Sequence, residues 1–270
     1  MIESRPNIEP VGRFLSLKKA LSVFLCSPIV DRAISLLFLN RIPHRGSRIE
    51  IPKEAKGLAS MLFWGIYESA EIRFVRQYLE ISDDVVELGS SIGGVSCEIA
   101  KLLSPNQKLI CVEANPNLLE ILERNLRKNA PNRKVKCINA AISSDSDKIS
   151  KFILDESILG SHLIKTSEDT EGGVEVNTLT LSDLLKRENV NEYSLVCDIE
   201  GAEVQIVNSD ASAFRKCKTL IIELHVTEFA WKSYTPDSLI DLIQFRTKLR
   251  LVARYGCVCV FKNYAFCDLG

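Results

Sequence analysis

Val85-Val86-Glu87-Leu88-Gly89-Ser90-Ser91-Ile92-Gly93-Gly94 is the most informative stretch of the chain. Four residues that suit a buried strand run into a glycine-bearing turn, and a helix is expected from Val95 to about residue 103. Gly89 and Gly93 let backbone approach a ligand closely where the chain turns, and the helix N-terminus supplies amide donors there. A dinucleotide fingerprint, G-x-G-x-x-G, needs a second glycine two residues after the first to make room for a pyrophosphate. Ser91 stands at that position, so the turn suits a smaller ligand.

The same rhythm extends to both sides. Helices are expected over residues 70–79, 116–128, 179–186, 202–207 and 236–248. Pro116 fits a first helical position with Asn115 as its cap. Strands are expected over 109–112, 135–139, 195–197 and 219–224, with a closing antiparallel pair, 251–252 and 257–261, around Tyr255-Gly256. Short buried strands alternating with helices read as an α/β fold with a doubly wound, mostly parallel sheet. Residues 149–178 interrupt the rhythm with β-like pieces and the run EDTEGG, the natural place for a substrate-side insertion or lid.

Open α/β sheets bind ligands at the carboxyl ends of their strands, and those ends carry the chemistry here. Glu113 ends the second strand, 24 residues after Gly89, where a carboxylate accepts hydrogen bonds from ribose hydroxyls. Asn139-Ala140-Ala141 ends the third with small residues beside which an adenine would lie, and Asn139 offers both donor and acceptor. These point to a nucleoside ligand with a compact tail, such as S-adenosylmethionine, whose ammonium Glu87 would attract. The fourth strand runs into Asp198, Glu200 and Glu203, three carboxylates that need solvent, cations or substrate. Glu200 and Glu203 suit the start of a helix, whereas Asp198 sits beside the expected pocket. The fifth ends at Glu223-Leu224-His225, where an imidazole suits removal of a hydroxyl proton. No metal is expected; magnesium held by Asp198 with Glu223 or His225 is the lesser alternative. His162, in the insertion, is a weaker candidate, and His44 belongs to the N-terminal arm.

Composition narrows the class. With 270 residues, 46% hydrophobic and 26% charged, the chain is globular rather than disordered or low-complexity. A net charge of -1, no basic and aromatic-interleaved surface and no NPPY-like strand end argue against a nucleic-acid partner. Nine cysteines without CxxC spacing read as small hydrophobes of a reducing cytoplasm. The first 48 residues carry a local charge of +5, and Phe14, Leu17, Leu21 and Phe24 recur at helical spacing. Residues 1–57 are therefore expected to be a basic amphipathic helical extension to a domain over 58–270. It packs over that domain or a second copy, or makes peripheral membrane contact through residues 14–39. No segment reads as a membrane span, because Pro28 and Asp31-Arg32 break the most apolar stretch. The start, MIESRPNIEP, does not read as a signal peptide.

The chain from Trp64 to about His225 resembles the FkbM family of S-adenosylmethionine-dependent methyltransferases. The resemblance rests on Gly65-Ile66-Tyr67-Glu68, VVELGSSIGG, CVEANP, RNLRKN at 124–129, NAAIS at 139–143, TLTLSDLL at 178–185, VCDIEGAE at 196–203 and LIIELH at 220–225. It implies a class I, Rossmann-like methyltransferase fold with a seven-stranded sheet and an antiparallel last strand. It also implies methylation of a hydroxyl on a sugar, glycan or other small metabolite. By position, Glu87, Gly89, Ser91 and Gly93 would shape the methionine end of the pocket, Glu113 would hold ribose, and Asn139, Ala140 and Ala141 would border adenine. Tyr67 and Glu68 would close it. Cys197 is read as standing where the family often has lysine, in a K-[IV]-D-x-E-G pattern. The expected mechanism is direct transfer from sulfonium to oxygen, governed by alignment, with His225 or Asp198 receiving the proton. The alternatives are a catalytically silent cofactor-binding or membrane-peripheral scaffold on the same fold, and a nucleotide-dependent oxidoreductase.

Overall fold

A computed structural model of the chain describes residues 25–144, 146, 148–153, 162–163 and 173–266. It begins with α1 (Pro28–Leu37), a hairpin of β1 (Arg41–His44) and β2 (Ser47–Glu50), then α2 (Leu58–Phe63) and α3 (Ser69–Tyr78). Strand and helix then alternate as β3 (Asp84–Leu88), α4 (Gly94–Leu102), β4 (Lys108–Glu113), α5 (Pro116–Asn129) and β5 (Lys134–Asn139). Asn115 caps α5 as expected, its side chain accepting from the Asn117 amide at 3.0 Å. A side sheet follows, built of β6 (Ala141–Ile142), β7 (Ile149–Ile153), β8 (His162–Leu163) and β9 (Gly173–Leu179). The expected lid falls largely outside the described residues, as does the side chain of His162. The chain continues as α6 (Leu181–Arg187), β10 (Tyr193–Cys197), α7 (Glu203–Ser209) and β11 (Cys217–Glu223). A short hairpin of β12 (Thr227–Phe229) and β13 (Lys232–Tyr234), α8 (Pro236–Arg246), β14 (Leu249–Tyr255) and β15 (Val258–Asn263) complete it.

Seven strands form the central sheet in the order β14-β15-β11-β10-β3-β4-β5. The five from β11 to β5 are parallel, and β15 runs antiparallel to its neighbours β11 and β14. This is the doubly wound, mostly parallel, Rossmann-like sheet that the resemblance implies, with its last strand antiparallel. From β3 the chain moves outward to β4 and β5 and then returns to β10 on the other side, so the crevice of the switch point lies between β3 and β10. Alternation along the strands builds two cores. Val86, Leu88, Ile110, Val112 and Leu220 face α6 to α8. Val85, Leu109, Cys111 and Ile221 face α3 to α5.

Residues before 58 hold more than helix. Ile42 and Ile49 of the hairpin are fully buried and share a core with Val85 and Ile92. Four-residue strands carry too short an alternation to stand out in sequence. Asn125 on α5 docks the hairpin, accepting from the Glu50 amide at 2.8 Å and donating to the Glu50 and Ile92 carbonyls at 2.9 and 2.8 Å. Asp31 of α1 is buried because it accepts from the Ser60 amide at 2.8 Å, capping α2 where Gly57 has no side chain to do so. His44 is likewise buried, with Nδ1 2.8 Å from the Leu62 carbonyl. Of the segment considered for membrane contact, α1 exposes Ile29, Leu36 and Leu37, while residues 14–24 lie outside the described residues. Among the described residues no helix is long and apolar enough to cross a membrane.

Candidate active site

A cavity of about 470 Å3 opens at the carboxyl edge of the sheet, over the ends of β3, β4, β10 and β11. Of the residues expected there, Tyr67, Glu68, Gly89, Ser91, Glu113, Ala140, Ala141 and Asp198 all line it. The turn after β3 explains much of its shape. A Cβ built at Gly89 would lie 1.7 Å from the Asp198 carbonyl oxygen, so only glycine lets this turn pass under the end of β10. Ser91 adopts φ +47, the left-handed region that glycine fills most readily, and Glu68 and Glu200 do so at +44 and +50. Three such residues around one cavity fit the clustering of backbone strain at functional sites.

Glu113 is aimed by backbone amides. Its Oε2 accepts from Ser91 N at 2.7 Å and its Oε1 from Asn115 N at 2.7 Å, tying the β4 end to the turn after β3. Burial raises its pKa, and these amide bonds oppose the shift.

Four expected positions lie outside that lining. Glu87 turns away from the main cavity: Ser96 donates to its Oε2, and Cys111 Sγ donates at 3.4 Å. Burial raises it to about 7, with those bonds opposing. Gly93 serves packing, because a Cβ there would lie 2.8 Å from Leu122 Cδ1 of α5. Asn139 spends its amide on the Glu113 and Ala114 carbonyls, at 2.8 and 3.0 Å, holding β5 to the end of β4. His225 does not line the cavity but stands behind Asp198, with Nε2 3.8 Å from Asp198 Oδ1 and 3.4 Å from Glu200 Oε2, and Nδ1 2.9 Å from Glu203 Oε1.

Burial alone would lower the pKa of His225. The hydrogen bond to Glu203 and the charges of Glu203, Asp198 and Glu200 outweigh it and raise it to about 9. The ring is thus an imidazolium at neutral pH and must lose its own proton before it can accept another. Asp198 is raised to about 7 by burial and by Glu223, with His225 pulling the other way.

Two carboxylates were not anticipated as a pair. Glu71 on α3 and Glu223 at the end of β11 both line the cavity. Burial and a hydrogen bond from one carboxyl to the other raise Glu71 to about 8. The sequence did hold a signal: Glu71 is one helical turn from buried Val75, so its side chain faces inward. The turn at Tyr255 to Val258 adds the far wall, a role that hairpin periodicity does not reveal.

Val196, and not Cys197, stands at the lysine position of the family pattern. Aligned on Asp198, Glu200 and Gly201, the K-[IV]-D-x-E-G pattern sets its lysine at Val196 and its apolar position at Cys197. Both residues line a recess of about 20 Å3 behind the cavity, beside Glu71, Glu87 and Glu223.

The profile of the Methyltransferase FkbM domain matches residues 89–250. A hexuronic acid methyltransferase, AglP, of Haloferax volcanii is 25% identical over 159 residues, 58% of this chain and 62% of that protein. The chain therefore spans somewhat under two thirds of that relative. Among solved structures, magnesium protoporphyrin IX methyltransferase from Synechocystis PCC 6803 is similar at 8% identity and TM-score 0.41, over 72% of this chain and 75% of that one. Fibrillarin from Aeropyrum pernix is similar at 10% identity and TM-score 0.40, over 71% and 72%. The profile takes in the turn after β3, the three carboxylates after β10 and His225, and covers more than half of the chain. The chain belongs to the FkbM family of S-adenosylmethionine-dependent methyltransferases.

Proposed function

We propose that this chain transfers the methyl group of S-adenosylmethionine to a hydroxyl of a sugar, glycan or other small metabolite. The observation that carries this reading is one cavity joining two kinds of site: Gly89, Ser91, Glu113 and the Ala140-Ala141 end of β5 on one side, and Asp198 backed by His225 on the other. The nucleoside would lie along the first side, with its ribose on Glu113. The acceptor oxygen would then attack the methyl carbon, the carbon–sulfur bond would break with its electron pair left on sulfur, and the hydroxyl proton would pass to Asp198. Alignment of the reactants supplies most of the rate, and His225 acts as a neighbouring positive charge.

Sugar as the acceptor class draws support from the relative in Haloferax volcanii, named for a hexuronic acid. The lining of this cavity carries Glu68, Glu71, Glu113, Asp198, Glu200 and Glu223, and no Lys, Arg or His among the described residues. A neutral, hydroxyl-rich acceptor fits such a surface better than an anionic one.

Isothermal titration of the full chain with S-adenosylmethionine, its demethylated product and NAD, on wild type and Glu113→Ala, tests the first half of the reading. Micromolar binding of both sulfur ligands, weakened in Glu113→Ala with NAD silent, is expected. No binding of either sulfur ligand by folded protein sinks it. Transfer of labelled methyl to a panel of neutral sugars tests the second half. Cofactor binding without transfer would favour a silent scaffold.

A further inference from the structure

The group behind Asp198 has the makings of a cation site. Glu203, at the start of α7, has no exposed side-chain surface, and His225 is three-quarters buried. Glu203 Oε1 receives the Gly201 amide at 3.1 Å and faces His225 Nδ1 at 2.9 Å, while its Oε2 is buried with no hydrogen-bond partner. Asp198 Oδ1 is a second buried oxygen without a hydrogen bond. One ligand atom from each of Asp198, Glu203 and His225 lies within 4.8 Å of the other two. Donors about 2.1–2.4 Å from a shared cation span up to roughly that distance. Glu200 Oε2, 3.4 Å from His225 Nε2, adds a carboxylate on the more exposed side.

Two observations besides convergence point to an occupant. A buried carboxylate oxygen without a hydrogen bond is costly, and Glu203 Oε2 and Asp198 Oδ1 are both of that kind, the latter held only by His225 Nε2 at 3.8 Å. The adjoining cavity adds further carboxylates and no basic side chain among the described residues, and His225 as a ligand would give up its proton to the incoming cation. We propose that Asp198, Glu203 and His225 bind one divalent cation of the Mn2+ or Mg2+ kind directly behind the cavity wall that Asp198 forms. Oxygen-rich donors with one imidazole suit that class, and waters would complete the shell. The structure brings in Glu203 where sequence reading offered Glu223. The proposal rests on the methyl-transfer reading only for its consequence, that the cation fixes Asp198 at the cavity wall beside the acceptor, and not for binding itself.

The test titrates Mn2+ alone into the full chain, followed by electron paramagnetic resonance and calorimetry, with and without S-adenosylmethionine. Wild type is expected to bind one Mn2+ and to unfold at a higher temperature with it. Asp198→Asn and His225→Gln should each weaken binding at least about tenfold, and Glu113→Ala should leave it unchanged. If one variant fails to fold by circular dichroism, the other decides. No Mn2+ bound by wild type up to about 1 mM, or equal binding in wild type and both variants, overturns the site. Failure of the methyl-transfer reading looks different: Mn2+ binds and S-adenosylmethionine does not.

Discussion

A methyl group at Gly89 would press on the Asp198 carbonyl at 1.7 Å, and φ +82 already disfavours any side chain there. Gly89→Ala must therefore shift the end of β10 together with the turn. We expect its melting temperature to fall by on the order of 10 °C and its S-adenosylmethionine binding to be lost; a scanning-fluorimetry curve matching wild type would contradict this. Glu87 gives a pH prediction. Folding raises this buried carboxyl from 4.5 to about 7, so between those values the native state keeps a proton that the unfolded state has released. Its favourable contribution is full below about 4.5 and is lost as pH rises through 7, for a total of about 3 kcal/mol. Glu87→Gln should match wild type near pH 5 and exceed it in stability at pH 8, measured by urea unfolding at each pH. Both residues were legible as motif positions. That Gly89 passes against the Asp198 carbonyl and that Glu87 faces inward to Ser96 and Cys111 was not, because strand pattern alone does not show what lies above a side chain.

The hairpin of β1 and β2 is the element that sequence reading left out. Its two strands are four residues each, and their partners are 75 to 81 positions away on α5. Asn125 lies in the RNLRKN block that marked the family resemblance, yet its work here is to bond the hairpin and the Ile92 carbonyl together. Asn125→Ala would leave the Glu50 amide and two carbonyls without their partner. We expect it to destabilise by about 2–4 kcal/mol, read as a lower denaturation midpoint with the slope unchanged. The long helix α5 and the five parallel strands were legible because caps, proline and apolar runs are local signals.

Across the whole molecule, residues before 58 share a core with the sheet: Ile42, Ile49 and Ile51 pack with Val85, Ile92 and Leu122. A chain cut to 58–270 would expose that core. We expect it to lose cooperative thermal unfolding by circular dichroism; a sharp transition like that of the full chain would show that the sheet domain stands alone.

Local patterns in the sequence were enough to set the order of the central strands and their helices, the carboxyl edge of the sheet where the cavity opens, and most of the residues on the proposed nucleoside side. These depend on periodicity, turn chemistry and the rule that parallel strands present their carboxyl ends together. Which charged groups meet depends on how the chain folds. Asp198, Glu203 and His225 converge because β10 and β11 are neighbours in the sheet and α7 starts where β10 ends, and Glu71 meets Glu223 because α3 packs beside β11. Such pairings join residues far apart in the chain, and their protonation follows burial and shared charge, which no local pattern encodes.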